Sequence, residues 1–378
     1  MVEYLAPGVY VEEVPSGARR ISAVGTSTAA LFGVAPKANM HFRVPWLLTN
    51  MSEFQQVFIP DEEINEPSPF ASSVAGFFIN GGSRLYVVNL GSDVDTITND
   101  DLSLIDAIEE INLIAAPGYT DEVSQEALIS HCEGRNDRFA VLDTAENPQS
   151  VKNLVQASSA GGDRPRGTDQ GVAACYWPWI ETIDVITSKR VASAPSGHIC
   201  GLYASVDLMR GVHKAPANIS IHGAIGLTHA ISPSEQSLLN PAGVNCIRAF
   251  EDGIRVCGAR TLANASSDFR HVPVRRLVTM ISQSIEQGTR WVVFETNNLT
   301  LWKSLRRDIG NFLTELWRDG ALMGATAEDA FFVKCDSETT TQVDIENGRV
   351  KAVVGIAPVK PAEFVIIRID QLVDQAHA

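Results

Sequence analysis

The chain has 378 residues, 45% of them hydrophobic and 20% charged, the balance of a globular chain long enough for two or three domains and a core that needs no staples. Thirty basic against forty-five acidic residues leave a formal charge of −15, which repels polyphosphate at long range and argues against a nucleic-acid partner. Six cysteines without CxxC or metal-type spacing read as free core thiols of a reducing compartment, and with neither a basic-then-apolar leader nor a long apolar run, neither export nor membrane insertion is expected.

The first element is "YLAPGVYVEEVPSG" (4–17). Pro7-Gly8 and Pro15 to Gly17 punctuate a β-favouring run carrying Val9, Tyr10, Val11 and Val14, and no hairpin partner lies beside it. "TSTAALFGVAP" (26–36) predicts a buried strand, and 44–58 a strand leading into a short helix. "FASSVAGFFINGG" reads as a helix stopped by Asn80-Gly81-Gly82, and "RLYVVNL" (84–90) as a strand. Helices at about 101–110, 121–133 and 148–157 then alternate with strands at 112–118 and 138–144. That alternation predicts a parallel sheet with crossover helices. "SSAGGDRPRGTDQG" (158–171) predicts a mobile loop. Ser232, Pro233 and Glu235 form a capping box, and 244–262 reads as two strands around a turn at Glu251 to Gly253. A helix at about 272–287, a strand "RWVVFE" (290–295), a long helix at 298–318 and a strand-rich tail from Phe331 complete the chain. The tail closes on "PAEFVIIRID", with Phe364, Val365, Ile366, Ile367 and Ile369 in a second strand lacking a local partner. Exposed strand edges invite association with other chains.

Enzymatic signals are weak. "GTSTAA" (25–30) resembles the nucleophile segment of subtilisin-like serine proteases and "IHGAIG" (221–226) their histidine segment, but Ser27 precedes His222, the reverse of the order in those enzymes. A serine hydrolase with a permuted site is therefore the alternative reading. "SGHICG" (196–201) reads as a helix start with a buried thiol at Cys200 rather than a His198–Cys200 pair. No P-loop occurs and the histidines lack HExxH spacing, so no cofactor and no metal are expected. In the long helix, Trp302, Leu305, Ile309, Phe312, Leu313 and Leu316 mark a buried stripe, while Lys303, Arg306 and Arg307 fall together on another side. A basic helix face in an acidic chain is a candidate docking surface.

Ten segments in order resemble the contractile tail sheath family of phage tails, R-type pyocins and extracellular injection particles. They are "PGVYVEEV", "GTSTAALFGVA", "FFINGGSRLYVVNL", "GVHKAPAN", "LLNPAGVNCIR", "GIRVCGARTL", "VRRL", "WVVFETNN", "LWKSL" and "IAPVKPAEFVIIRI". The resemblance implies an N-terminal arm (1–20), a region with a subtilisin-like α/β core devoid of protease function (21–255), an α+β C-terminal domain (256–360) and a C-terminal arm (361–378). It implies hexameric rings stacked helically around an inner tube protein, with baseplate and terminal cap partners, assembled in the cytoplasm and then part of a virion tail or a released particle. The compact length leans toward a pyocin-like or extracellular injection particle. In similar sheaths the terminal arms add strands to a small sheet of neighbouring subunits, and the C-terminal region holds the tube, which makes Lys303, Arg306 and Arg307 the expected tube contact. Ordering an arm costs about 1–2 kcal/mol per residue, while each buried Val, Ile or Phe returns about 1.5–3 kcal/mol and each ladder hydrogen bond about 1 kcal/mol. An arm is therefore stable only in a neighbour's sheet.

Overall fold

The computed structural model describes residues 20–60, 65–92 and 94–363. The expected arm residues Val9, Tyr10, Val11, Val14, Phe364, Val365, Ile366, Ile367 and Ile369 lie outside them. Two compact units are present. The larger comprises Val24–Ile281 and takes up the chain again from Pro358, and the smaller comprises Ser282–Ala357 with residues 20–23.

In the larger unit the order is β1 (Ala29–Gly33), β2 (Trp46–Leu48), α1 (Met51–Phe58), α2 (Pro69–Ile79), β3 (Leu85–Asn89), α3 (Asn99–Ser103), β4 (Leu113–Ala115), α4 (Glu122–Arg135) and β5 (Phe139–Asp143). It continues with β6 (Ala173–Trp177), β7 (Ile180–Ile183), β8 (Arg190–Ser193), α5 (Ser196–Arg210), β9 (Gly226–Leu227), α6 (Pro233–Leu239), β10 (Val244–Phe250), β11 (Gly253–Cys257) and α7 (Val272–Thr289), whose last turns enter the smaller unit. Eight strands form one sheet in the order β11-β10-β6-β5-β4-β1-β3-β2, and β8-β7-β9 form a small antiparallel one. The six strands from β10 to β3 run parallel, and antiparallel β11 and β2 close the edges. Strand order reverses between β1 and β4, as in doubly wound sheets.

Burial on both faces explains the near-continuous apolar strands. Along β1, Ala29 and Leu31 enter one core with α2 and α5, while Ala30 and Phe32 enter the other with α3 and α4. Helices α2 and α5 approach closely because glycine allows it: a Cβ on Gly197 would stand 2.6 Å from the Ser73 carbonyl oxygen. Caps start the helices where expected. Ser68 accepts from Ala71 N ahead of Pro69, and the Ser232–Glu235 capping box opens α6. All six cysteines are free and five are buried.

Three expected elements differ. The helix expected at 101–110 ends at Ser103 and gives way to turns. Buried Arg138 takes the carbonyls of Ile105 and Ile108 at 2.7 and 2.9 Å, where a longer helix would need them for its own ladder. The helix expected at 148–157 is a single 3₁₀ turn, Val151–Leu154, because the 158–171 loop folds back on it: Asp163 N and Arg164 N donate to the carbonyls of Asn153 and Gln156. Arg166 ties that same loop, expected to be mobile, to Glu126 and Glu133 of α4. "RWVVFE" forms a 3₁₀ turn (Arg290–Val292) rather than a strand, because Trp291 and Val292 pack against the core of the smaller unit, so tertiary burial overrides β propensity.

The smaller unit continues with α8 (Leu299–Arg318), α9 (Ala327–Ala330), β12 (Phe331–Lys334), α10 (Gln342–Glu346) and β13 (Val353–Ile356). Asn298 caps α8 by accepting from Thr300 N and Leu301 N. Leu301, Trp302, Leu305 and Cys335 form its core, and Trp302 Nε1 donates to Asn297 Oδ1 at 2.8 Å. Five of the six expected stripe residues of α8 are buried, and Leu316 is half-buried.

Candidate functional site

The basic side expected on α8 lies in the smaller unit. With the stripe turned inward, the helical period carries Lys303, Arg306 and Arg307 to the exposed side of α8 as neighbours at i, i+3 and i+4. Arg306 and Arg307 also line a groove of about 450 Å³, walled on the helix side by Gly310, Asn311 and Thr314 and on the other by Phe331, Phe332 and Val333 of β12. Arg307 has a second duty. Its Nε donates at 2.9 Å to Oδ1 of Asp308, whose side chain is only 2% exposed. A buried carboxylate beside an exposed guanidinium depends on it for compensation.

Across the groove, β12 and β13 pair antiparallel, Phe331 opposite Ile356 and Lys334 opposite Val353. Among the described residues no third strand joins either edge. The Phe332 ring lies over Gly355, where a Cβ would collide with it, yet Phe332 keeps 57% of its surface exposed. Two strands alone are marginal in water, and among the described residues the edges of β12 and β13 carry no further strand, while Met323 N donates to the Ala357 carbonyl just past β13. The chain outside the described residues supplies two β-favouring segments.

The protease-like segments form no site. Ser27 precedes β1, whereas the His222 backbone is held by the side chain of Asn80 at the end of α2, and no hydrogen bond joins Ser27 to His222 among the described residues. His198 is buried in α5 with Nδ1 unpartnered, and burial lowers its pKa to about 4, leaving a neutral ring. Cys200 lies buried in the same helix, and burial pushes its thiol up. A polar cluster invisible in the sequence sits at the carboxyl end of β5. Asp143 accepts from Ser196 N (2.8 Å), Ser196 Oγ (2.6 Å) and Gly118 N (3.2 Å). Burial raises the Asp143 pKa to about 6, against the opposing pull of those hydrogen bonds. Ser196 is fully buried and its hydroxyl donates a hydrogen bond directly to a carboxylate, without an imidazole between them, so the cluster locks the start of α5 and lacks the geometry of an activated nucleophile. Its only sequence signal was a serine at a helix start.

Residues 95–262 match the phage tail sheath protein central domain, and residues 264–371 the phage tail sheath C-terminal domain. The tail sheath protein of Burkholderia phage BcepMu is 24% identical over 226 residues, 57% of this chain and 47% of that protein, so the chain spans about half the length of this relative. Among solved structures, the sheath of the PVC extracellular contractile injection system in its contracted state is similar at 30% identity and TM-score 0.81, covering 100% of both chains. The contracted helical sheath of the anti-feeding prophage is similar at 31% identity and TM-score 0.77, over 98% of this chain and 100% of that one.

Proposed function

The chain belongs to the tail sheath family of phage tails and contractile injection systems, a structural family rather than an enzymatic one, and on that premise we propose that its copies polymerise around an inner tube and contract to drive it through a target envelope. In this reading the copies form six-membered rings stacked helically, bounded by a baseplate and a terminal cap. Residues 1–20 and 361–378 serve as arms, 21–255 as the body and 256–360 as the C-terminal sheath domain. The subtilisin-like description of the body belongs to the same proposal, supported by its mostly parallel sheet with helices on both faces.

The observation that carries the reading is the β12–β13 sheet, two-stranded among the described residues, in a chain whose sequence supplies β-favouring runs at Val9 to Val14 and Phe364 to Ile369. Each end adds a strand to a neighbour's β12–β13 sheet, and such head-to-tail contacts generate open helical arrays. The connected arms hold neighbours together while the rigid bodies rotate and slide during contraction. Lys303, Arg306 and Arg307 touch the inner tube in the extended state. Negative-stain microscopy of the full chain, produced with its tube protein, tests the reading: tubes of sheath dimensions are expected. Monodisperse particles that react with serine-hydrolase probes would overturn it in favour of the permuted hydrolase, which the sheath relatives do not support.

A further inference from the structure

Beyond β13 the chain rejoins the α/β unit, and its last described residue, Glu363, enters a nest of cations. Glu363 Oε1 accepts from Arg260 Nε at 3.0 Å, Oε2 accepts from Arg260 Nη2, and His271 Nδ1 stands 3.5 Å from Oε1. Arg270 and Lys360 add their charges to the same field. The Arg260 side chain is 8% exposed and otherwise donates through Nη1 to the Asn240 carbonyl at 2.9 Å. Removing the carboxylate would leave a buried guanidinium without an opposite charge, which is the costly way to break an ion pair. The other ion pair of this stretch, Lys360 with Asp268 at 3.7 Å, is exposed on both sides and contributes little. The paired bond geometry and the burial single out Glu363 as the residue that holds 358–363.

We propose that Glu363 pins the root of the C-terminal segment: as a positioning residue acting through Arg260, it fixes the point on the α/β unit from which the chain continues into 364–378, and so bounds the distance that segment can span. The functional consequence rests on the strand-exchange reading above, but the pin itself is a contact within one chain. Fifteen residues from 364 span at most about 50 Å, and release back to Ala357 would add about 20 Å. A pinned root makes the α/β unit, and not the unit carrying β12 and β13, the body to which this connection is tied.

The test places a nitroxide on Ala362→Cys in a Cys257→Ser background of the full chain and reads its mobility by electron paramagnetic resonance in unassembled subunits. The parent protein should give an immobilised spectrum. Adding Glu363→Gln or Glu363→Ala should raise the ratio of mobile to immobile populations roughly ten-fold or more, as loss of a charge-assisted pair requires. Glu363→Asp, which keeps the charge, should recover part of the immobilisation. Truncation after Phe364 should leave the label immobile, because the pin does not depend on the segment beyond it. Equal spectra for the parent and Glu363→Ala, or full mobilisation by the truncation alone, would overturn the proposal. These readouts precede assembly, so they stand or fall separately from strand exchange.

Discussion

Charge reversal on α8 separates a tube contact from an ordinary solvated face, provided the right residues are changed. Reversing Arg307 would strand Asp308, whose buried carboxylate takes the Arg307 Nε, and leaving that acceptor without its partner costs about 1–3 kcal/mol. Any loss of particles would then report unfolding. Lys303 and Arg306 are exposed, so Lys303→Glu with Arg306→Glu should leave the melting temperature within about 2 °C of wild type. Each exposed ion pair made with the tube would contribute about 0–1 kcal/mol. A bias of about 1 kcal/mol per subunit is already a fivefold factor in a two-state balance, and it multiplies when many copies change state together. The double reversal should therefore shift particles strongly toward contracted, tube-less sheaths, counted in micrographs against wild type, and raised salt should shift wild type the same way to a lesser degree. An unchanged ratio of extended to contracted particles would refute the tube contact.

A pair of glycine substitutions tests the helix packing: Gly197→Ala forces a Cβ to within 2.6 Å of the Ser73 carbonyl and should cost about 1–3 kcal/mol in thermal unfolding, outweighing the gain in helix propensity. Gly134→Ala in α4, where an added Cβ meets nothing within 4 Å, should instead stabilise by about 0.5–1 kcal/mol, and equal effects of the two would contradict the close α2–α5 approach. For Asp143, a folded pKa of about 6 lies above the unfolded value near 3.8, so its protonated form contributes stability that is full below about pH 4 and lost as pH rises through 6. Relative to Asp143→Asn, wild type should lose roughly 2 kcal/mol between pH 4 and pH 7, and parallel stability curves would count against the raised pKa.

Where local signals and the fold agree, the sequence was readable. The unbroken apolar run of β1 read as a buried strand, the Ser232–Glu235 spacing set the start of α6, and the stripe of α8 left Lys303, Arg306 and Arg307 outside. The expectations that failed depend on partners distant in sequence. Arg138, 33 residues beyond Ile105, takes the carbonyl that a longer α3 would need, and Trp291 and Val292 look like strand residues until a core in the smaller unit claims them. Glu363 was invisible for the same reason, because its partner Arg260 lies 103 residues away. Asp143 and Ser196 carried no recognisable spacing, since a strand end and a helix start meet only once the sheet is wound.

Deletion of the ends tests strand exchange most directly. A chain lacking residues 1–18, or one lacking 364–378 with Glu363 retained, should remain folded and melt cooperatively, because the hydrophobic core clusters of the described residues are built from side chains between Ala29 and Val350. Co-produced with the tube protein and viewed by negative stain, either deletion should yield dispersed subunits and no tubes. Tubes of wild-type length and order from either deleted chain would contradict the account.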